Sequence, residues 1–263
     1  MICYFGNWRT WDETPMDERY RLIRQAGFDG TLIWWDEEEW GDFRAQPAAA
    51  RRAGLFVENA HADFGMANDI WEDTTRGQAV FDYYAMCLND CAQYGIPTLV
   101  MHTGCGGDPL PPISELGFER FARLIDQAER LNISIAVENQ CDWEKTERGM
   151  ALLERFDSPM LGMCYDSGHG NAYNSRGTGR EMLVRFGTRL KALHLHDNDT
   201  TSDQHRLPGE GTIDWPQLMG EIARTGYRGP TTLELGSYPE LGVGEFLALA
   251  CERAKELEAL RSI

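Results

Sequence analysis

The chain has 263 residues, enough for one large domain with a sizeable core. Its 42% hydrophobic residues exclude a disordered chain, and no segment approaches the ~20 consecutive apolar residues that a membrane-spanning helix needs. The formal net charge is −17, with 42 acidic residues against 25 Lys and Arg, which disfavours a nucleic acid or a membrane surface as partner because such partners are bound through basic side chains.

Short apolar segments with the character of buried strands recur along the whole chain. They are rich in β-branched or aromatic residues or run continuously apolar, as expected for strands that are buried on both faces. In chain order the predicted strands are Ile2–Phe5, Thr31–Trp35, Leu55–Asn59, Thr98–His102, Ser134–Glu138, Leu161–Asp166, Leu190–His196 and Thr231–Leu235.

A longer amphipathic segment follows each predicted strand. The predicted helices span about 15–26, 44–53, 73–94, 114–131, 145–156, 178–187, 214–225 and 243–260. Thr14-Pro15 and Asp214 are typical of helix N-termini. Gly27, Gly95 and Gly226 each follow a predicted helix, where a left-handed residue commonly ends it.

The alternation of strands and helices predicts an α/β fold, a single (β/α)8 TIM barrel that covers residues 1–263. No break in composition and no linker separates the units, which argues against two domains. An open doubly wound sheet is the main alternative, but it usually has fewer units and a Gly-rich first turn. The first turn here, Gly6-Asn7-Trp8-Arg9, is not of the phosphate-binding type.

Side chains that can bind metal or transfer protons gather at the carboxyl ends of the later strands. At or near the ends of strands four to eight are His102, Glu138, Asp166, His196 and Glu234, and His61 and His169 follow strands three and six. In a (β/α)8 barrel the carboxyl ends of all strands meet at one mouth, where active sites form. We therefore expect these residues to belong to one site.

Glu138 and Glu234 end apolar strands, so each carboxylate would be held among barrel-lining side chains. Burying a carboxylate costs free energy unless a cation compensates it, and converging carboxylates also repel one another. A divalent ion resolves both problems. A mixture of carboxylate and imidazole ligands favours Mn²⁺ or Zn²⁺, with Co²⁺ or Mg²⁺ as alternatives, and no organic cofactor is expected.

Each of these residues also has a purely structural interpretation. A histidine at a strand end is often a hydrogen-bonded core residue, and Asp166-Ser-Gly-His169 alone is compatible with a simple turn. Their joint occurrence favours a metal site, because five of the six histidines fall at strand ends or in the loops that follow. His194 and His196 point to the same side of strand seven, so either can be a ligand. We predict His196, which is nearer the mouth, with His194 deeper in the barrel where it can orient a ligand.

These motifs resemble the xylose-isomerase-like, endonuclease IV-like superfamily of barrels, over most of the chain and most sharply from Val137 to Glu234. The matching features are a strand-five Glu (Glu138), a strand-six Asp-x-x-His (Asp166 and His169), a strand-seven His-x-His (His194 and His196), a Pro-Gly-x-Gly loop (Pro208 to Gly211) and a strand-eight Glu (Glu234). The resemblance implies that one metal is held by Glu138, Asp166, His196 and Glu234. It also implies that the two glutamates move protons and that His169 contacts the substrate.

A second branch of this superfamily, endonuclease IV, uses three zinc ions, and its additional ligands are matched as well. They are His61 in His-Ala-Asp-Phe, His102 in Met-His-Thr-Gly, and Asp203 with His205 in the loop before Gly-Glu-Gly. His205 stands where ketose epimerases commonly have a substrate-contacting Arg, and Arg206 is adjacent. These residues and Arg206 are therefore candidates for further metal or substrate contacts, and for the loop residues a solvated surface role is the alternative.

The resemblance implies a divalent-metal-dependent isomerase or epimerase that acts on a sugar, a ketose or a polyol-derived ketone through an enediolate, with Glu138 and Glu234 as the acid/base pair. Sugar-processing members can retain the extra ligand positions, so these positions do not require nuclease activity. The alternatives are an endonuclease IV-like multi-zinc phosphodiester hydrolase and a dehydratase or lyase that uses the same enediolate chemistry. The low content of basic residues disfavours the hydrolase.

Tryptophans that follow strands one, two and five are candidates for the wall of a sugar pocket, namely Trp8, Trp34 and Trp143. Core packing or a subunit contact is the alternative for each, and a homo-oligomer is left open. The expected partner is a small carbohydrate or polyol, with neither nucleic acid nor membrane. Seven cysteines without disulfide-like or zinc-ribbon spacing, and an N-terminus without a signal-peptide pattern, predict a cytoplasmic enzyme of carbohydrate metabolism.

Overall fold

Eight parallel strands form one sheet at the centre of the molecule. The computed structural model describes residues 1–6, 14–36, 42–107, 109–236 and 240–261. The strands are β1 (Ile2–Gly6), β2 (Gly30–Trp35), β3 (Phe56–Ala62), β4 (Thr98–Met101), β5 (Ser134–Glu138), β6 (Leu161–Asp166), β7 (Leu190–His194) and β8 (Thr231–Leu235). Neighbours in the sheet follow the order β7-β6-β5-β4-β3-β2-β1-β8, and every pairing is parallel.

The sheet closes into a barrel where its two outer strands, β7 and β8, meet. Just beyond β7, Leu195 forms a parallel bridge to Leu233 of β8. The Leu195 amide donates to the Thr232 carbonyl at 2.9 Å, and the Glu234 amide donates to the Leu195 carbonyl at 3.1 Å. The described residues therefore form the single (β/α)8 barrel that the sequence predicts.

Helices cover the outside of the barrel. In the described residues they are α1 (Met16–Ala26), α2 (Gln46–Arg52), α3 (Thr75–Tyr94), α4 (Glu115–Leu131), α5 (Trp143–Arg155), α6 (Ser167–Asn171), α7 (Thr178–Phe186), α8 (Trp215–Arg224) and α9 (Val243–Arg261), with short 3-10 turns between some elements. The short helix α6 was not predicted. None of the described helices is long and apolar enough to cross a membrane.

The predicted helix ends are mostly confirmed. The Asp214 side chain caps α8, and Gly27 and Gly95 take the left-handed conformation after α1 and α3, with φ of 108° and 64°. The prediction for the start of α1 was wrong by one residue, because the helix begins at Met16 and Pro15 rather than Thr14 occupies the N-cap position.

A β-bulge in β3 determines which of its side chains enter the barrel. Between two positions paired with β2, β3 has one more residue than its partner. As a result Glu58 and His61 both face the interior, although strict alternation would send them to opposite faces. Glu58 accepts a hydrogen bond from the Thr232 hydroxyl, and His61 contacts Glu138.

Three histidines lie at strand positions that differ from the prediction. His61 lies inside β3, which continues to Ala62 instead of ending at Asn59. His102 is the first residue after β4, and His196 lies two residues beyond the end of β7 at His194. Strand ends are set by backbone pairing with both neighbours, which the sequence of one segment does not contain.

Small side chains line the barrel directly below its mouth. They come from four neighbouring strands and form their own buried cluster, composed of Val100, Ala136, Cys164 and Ala192. Each precedes by two residues one of the polar residues His102, Glu138, Asp166 and His194. Because strand side chains alternate, these four polar residues form the next layer up, at the mouth.

Candidate metal centre

Glu138, at the end of β5, is the residue around which the histidines of the mouth assemble. Its side chain is 1% exposed. Oε2 lies 2.9 Å from His61 Nε2 and 3.2 Å from His102 Nε2. Oε1 lies 3.1 Å from His194 Nδ1. One carboxylate therefore contacts imidazoles that come from three different strand ends.

Glu234 approaches the same imidazole from β8. Its Oε2 lies 3.0 Å from His194 Nδ1. Glu138, Asp166, His194 and Glu234 each offer one ligand atom, these atoms all lie within 4.8 Å of one another, and all four residues are buried. We refer to these four residues as the carboxylate centre. Three carboxylates and one imidazole at this separation can converge on a single divalent ion.

Burial and neighbouring charges act in opposite directions on the pKa values of the carboxylate centre. Burial acts to raise the pKa of Glu138, but the charge of His194 and hydrogen bonds from the surrounding imidazoles hold it well below its usual range. Burial is outweighed in the same way at Glu234, whose pKa falls to about 2 beside His194. Burial disfavours the charged form of His194, yet Cys164 and the two glutamates raise its pKa well above the usual value. His194 thus carries the positive charge that a metal ion would otherwise supply.

His102 behaves differently, although it contacts the same carboxylate. Burial lowers its pKa to about 4, and the hydrogen bond to Glu138 compensates only in part. Its ring stacks on Phe64, and the His61 ring stacks on Trp34, each with centroids 4.3 Å apart. His102 is therefore held as a neutral imidazole, the form that binds metals.

Asp166, at the end of β6, is fixed on both its backbone and its side chain. The Asn139 side chain accepts from the Asp166 amide and donates to the Asp166 carbonyl, both at 2.8 Å. The Asp166 carboxylate caps α6 by accepting from the His169 amide at 2.6 Å, and it lies 3.1 Å from His196 Nε2. The Asp-x-x-His motif is thus a capped helix start, which directs the His169 side chain back toward the mouth.

The two histidines of the His-x-His motif belong to different groups. We predicted His196 for the carboxylate centre, whereas the structure brings His194 to it. His196 retains its contact with Asp166 but groups with Asp203 and His205 of the following loop. The reason is that β7 ends at His194 and the chain beyond it pairs with that loop.

Ligand-type side chains from two segments form a second group, which we call the loop group: Asp203 and His205 lie in the loop after β7, and His169 lies in α6. Asp203 Oδ2 lies 3.0 Å from His205 Nε2 and 3.4 Å from His169 Nε2. Burial acts against charge here, but hydrogen bonds from the two imidazoles hold the pKa of Asp203 well below its usual range. The bond to Asp203 in turn outweighs burial at His205 and raises its pKa to about 9. Asp203 is therefore an anion shared by two imidazoles.

These groups line a cavity of about 240 Å³ at the mouth of the barrel. Its polar side consists of His61, His102, Glu138, His169, Asp203, His205 and Glu234, and its apolar side of Phe5, Trp34, Phe64 and Leu235. The volume is below the roughly 300–1,000 Å³ of pockets for drug-sized ligands, so the cavity suits a small molecule.

The other predicted pocket residues have different outcomes. Trp34 lines the cavity as expected. Trp143, the first residue of α5, lies under the Arg176 guanidinium at 4.8 Å and is not among the described lining residues. Arg206 pairs with Asp199 at 3.1 Å and is likewise not among them. Trp8 lies outside the described residues.

Sequence reasoning missed several residues of the site. Phe5, next to last in β1, and Leu235, the last residue of β8, lie in the cavity wall, and the strand-end rule could have found them. Phe64 lies in a loop and carried no such signal. Asn139 directly follows the strand-five glutamate and Cys141 lies three residues after it, and this proximity in sequence was the available signal for both.

Comparison with known protein families gives a match over most of the chain. Residues 20–263 match the model of the xylose isomerase-like TIM barrel family. The chain belongs to this family. This xylose isomerase-like barrel is 30% identical to the uncharacterized protein y4fM of Sinorhizobium fredii, in an alignment that covers 89% of this chain and 85% of that protein.

Further relatives of this xylose isomerase-like barrel include an epimerase and a zinc-binding protein. Fructoselysine 3-epimerase of Shigella flexneri is 43% identical over 51 residues, which are 19% of this chain and 18% of that protein. The structure of a D-tagatose 3-epimerase-like protein has a TM-score of 0.77 at 18% identity and covers 100% of this chain and 98% of that chain. The structure of the IolI protein with a zinc atom has a TM-score of 0.76 at 16% identity, with the same coverage. The structural likenesses show the fold, and the relatives bear out the predicted class of enzyme, an isomerase or epimerase.

Proposed function

We propose that this protein is a divalent-metal-dependent isomerase or epimerase of a sugar, a ketose or a polyol-derived ketone. The observation that carries the proposal is the pair Glu138 and Glu234, which lie 3.1 Å and 3.0 Å from the same His194 nitrogen and both line the cavity. Two carboxylates side by side at a cavity wall can remove a C–H proton and return it elsewhere. The epimerases among the relatives support the same chemistry.

The residues of the carboxylate centre fit a divalent cation. Three buried carboxylates close together are costly without a compensating charge. His194 Nδ1 contacts both Glu138 and Glu234, so it is the ring nitrogen positioned to bind an ion between them. Glu138, Asp166, His194 and Glu234 would hold the ion, and this mixture of ligands favours Mn²⁺ or Zn²⁺. When bound, the ion supplies Lewis-acid stabilisation of negative charge on a substrate oxygen.

The two glutamates then divide the proton transfers. One takes the proton from the carbon next to the substrate carbonyl, and the electron pair of that C–H bond forms the enediolate. The other returns a proton to the opposite face in an epimerase, or to the adjacent carbon in an isomerase. We assign the first role to Glu234, because Glu138 is already bound by three imidazoles whereas Glu234 contacts His194 alone among these three.

The cavity walls indicate the class of substrate. Phe5, Trp34 and Phe64 form an apolar side that suits the C–H face of a sugar, and His169 and Asp203 can hydrogen-bond its hydroxyls. The described residues that line the cavity include no Lys or Arg. This composition favours an unphosphorylated carbohydrate or polyol, because phosphate groups are usually bound by basic side chains.

The proposal is tested by hydrogen exchange at the substrate carbon. Protein loaded with Mn²⁺ or Zn²⁺ and incubated with ketoses or inososes in deuterated water should place deuterium on the carbon next to the carbonyl, as read by proton NMR. Glu234→Gln should slow this exchange by roughly 10²–10⁴-fold, the usual contribution of one acid–base group. The exposed Glu119 provides the matched control, and Glu119→Gln should exchange at the wild-type rate. Exchange that is unchanged in Glu234→Gln would contradict the assignment.

A multi-zinc phosphodiester hydrolase is the second candidate, and one observation favours it. His61, His102, Asp203 and His205 offer more ligands than one ion requires, and they are the residues whose motifs resemble the additional ligands of endonuclease IV. The net charge of −17 opposes it, because unneutralised phosphates leave little to drive DNA binding at physiological salt. Nicking of abasic DNA by the zinc-loaded protein, with no deuterium entering any sugar, would replace the first proposal by this one.

A further inference from the structure

The loop between β7 and α8 has little packing of its own over residues 198–214. Its buried residues are few, namely Asn198, Leu207 and Pro208. Asp203 and His205 of this loop line the cavity, so the shape of the loop determines where their side chains face a substrate. His205 also has a φ of 47°, a left-handed conformation that a residue other than glycine adopts only where its surroundings hold it there.

Asp197, directly before this loop, joins its distant parts. The Asp197 side chain is fully buried. Its Oδ1 accepts from the amides of Asn198 at 2.9 Å and Ile213 at 3.3 Å. Its Oδ2 accepts from the Gly209 amide and from the indole nitrogen of Trp215, both at 2.9 Å. One carboxylate therefore ties the beginning, the middle and the end of the loop to the helix that follows.

The partners of Asp197 explain why the residue is an aspartate. Each of these four partners is an N–H donor, and a carboxylate can accept at both of its oxygens. Asparagine has the same shape, but its NH₂ group would face two of the donors. Gly211 allows the loop to close over the carboxylate, since a Cβ at this position would overlap Asp197 Oδ1. A buried carboxylate costs free energy unless hydrogen bonds satisfy it, so Asp197 favours the loop conformation that supplies them.

Asp197 also holds the backbone beside His205. The main chains of Asp197 and Arg206 exchange two hydrogen bonds, each of 2.9 Å. The His205 carbonyl accepts from the Gly236 amide at 2.8 Å, and the His205 ring stacks on His196 with centroids 3.9 Å apart. The side chain and the backbone of Asp197 thus fix the chain on both sides of the segment that reaches the cavity.

We propose that Asp197 is a positioning residue for the substrate, which holds Asp203 and His205 in place at the cavity without contacting the substrate itself. The inference rests on the proposed function, because the groups that these two residues would meet are the hydroxyls of a carbohydrate or polyol. It adds a residue outside the cavity on which substrate affinity depends. Contacts with hydroxyls remote from the reacting carbon act alike in the ground state and the transition state, so their loss raises KM and leaves kcat nearly unchanged.

The kinetic test uses whichever ketose or inosose the wild type labels in deuterated water. Asp197→Asn should raise KM at least ~10-fold, the loss expected for one hydrogen bond between a charged group and the substrate, with kcat nearly unchanged. A variant that is only less stable has fewer folded molecules, which lowers the apparent kcat at constant KM. Asp214→Asn is the matched control and should keep the wild-type KM, because Asp214 is exposed and asparagine caps a helix as well as aspartate.

Amide hydrogen exchange tests the anchor without any substrate. Peptides covering residues 198–213 should exchange faster in Asp197→Asn than in wild type, whereas peptides of β2 to β5 should exchange at the wild-type rate. Gly211→Ala is a second variant, in which the added methyl group displaces the loop and leaves the carboxylate unaltered. It should show the same rise in KM and in loop exchange.

Gly211 is exposed, so Gly211→Ala decides if Asp197→Asn does not fold. Unchanged exchange of the loop in a folded variant, or a lower kcat at the wild-type KM, would overturn the proposal. If the wild type labels no ketose or inosose, the proposed function has failed. Exchange of the loop amides then decides separately whether Asp197 holds the loop.

Discussion

Glu58 is a carboxylic acid enclosed in the barrel one layer below the mouth. It is 4% exposed, Oε2 accepts a hydrogen bond from the Thr232 hydroxyl, and Oε1 has no partner among the described residues. Burial is the largest influence and raises its pKa to about 7, although the bond to Thr232 and the charge of His194 act in the opposite direction. Glu58 therefore holds its proton at a pH where Glu138 and Glu234 have lost theirs.

We expect Glu58 to reduce stability as the pH rises toward neutrality. Folding raises its pKa from 4.5 to about 7, so the folded chain binds this proton more tightly than the unfolded chain. The resulting stabilisation is fully present below pH 4.5 and is lost progressively up to about pH 7. It amounts to roughly 3 kcal/mol over that range. Glutamine at this position stays neutral at every pH. The free energy of unfolding of Glu58→Gln, relative to that of wild type, should therefore rise by up to about 3 kcal/mol from acid to alkaline pH.

The measurement for Glu58 is urea unfolding of both proteins at several pH values between acid and mildly alkaline conditions. The difference in the free energy of unfolding should grow with pH for Glu58→Gln. It should stay constant for Glu119→Gln, in which an exposed glutamate is replaced. Parallel profiles of wild type and Glu58→Gln would show that the buried acid does not retain its proton.

The sequence predicted which residues belong to the site better than it predicted which of their side chains contact one another. That Glu138, Asp166 and Glu234 converge follows from their positions at strand ends, and the structure has them together. Which histidine joins them could not be predicted, because His194 and His196 share one face of the strand and differ only in how the following loop pairs. The inward direction of Glu58 was hidden for a similar reason, since the bulge that turns it inward is a property of two strands.

At the level of elements, α6 shows how closely the helices approach the site. This short helix starts directly after Asp166, and its first residue, Ser167, hydrogen-bonds the backbone of His196 just beyond β7. A Cβ built on Gly168 would overlap the imidazole ring of His196, so a hydrogen at this position is what allows the approach. Local sequence suggested a turn here, but the contact with His196 depends on the chain that follows β7.

Gly168→Ala should therefore cost stability and displace His196. In a helix this change would ordinarily be favourable by up to ~1 kcal/mol, but inserting a methyl group into a packed site typically costs about 1–3 kcal/mol. Chemical denaturation should show the loss in free energy of unfolding. Elemental analysis should show less metal per chain than in wild type, because His196 lies 3.1 Å from Asp166, one of the residues that would hold the ion. Gly244→Ala, in α9 with open space around the added methyl group, is the control and should match or exceed wild-type stability. A Gly168→Ala protein with wild-type stability and metal content would contradict this account of the packing.

For the whole molecule, the repeated strand and helix pattern was sufficient to predict the barrel. Every predicted strand and helix has a counterpart in the structure, because each depends on local hydrophobic periodicity and caps. The closure of the sheet was inferred from the number of units, and its hydrogen bonds could not be read from any segment. Positions of strand ends and the bulge depend on the partner strands and were correspondingly less accurate.

The closure between β7 and β8 has a consequence for the local opening of the barrel. The strands are joined by a bridge at Leu195, whereas β1 and β8 pair at five positions. His194 and Glu234 lie on the two sides of this seam, so an ion bound by both would clasp the ends of the sheet. Ligands that bind only the closed form stabilise it in proportion to their concentration and affinity.

Hydrogen exchange of backbone amides with solvent should show whether a bound ion holds β7 and β8 together. With Zn²⁺ or Mn²⁺ bound, the amides of Leu195 and Glu234 should exchange more slowly with deuterated water, and chelation should accelerate them more than the paired amides of β2 and β3. Equal acceleration across the whole sheet would mean that the ion stabilises the barrel globally. Faster exchange confined to Leu195 and Glu234 would mean that the barrel opens locally between β7 and β8. The residues that hold the ion would then also determine how often the barrel opens.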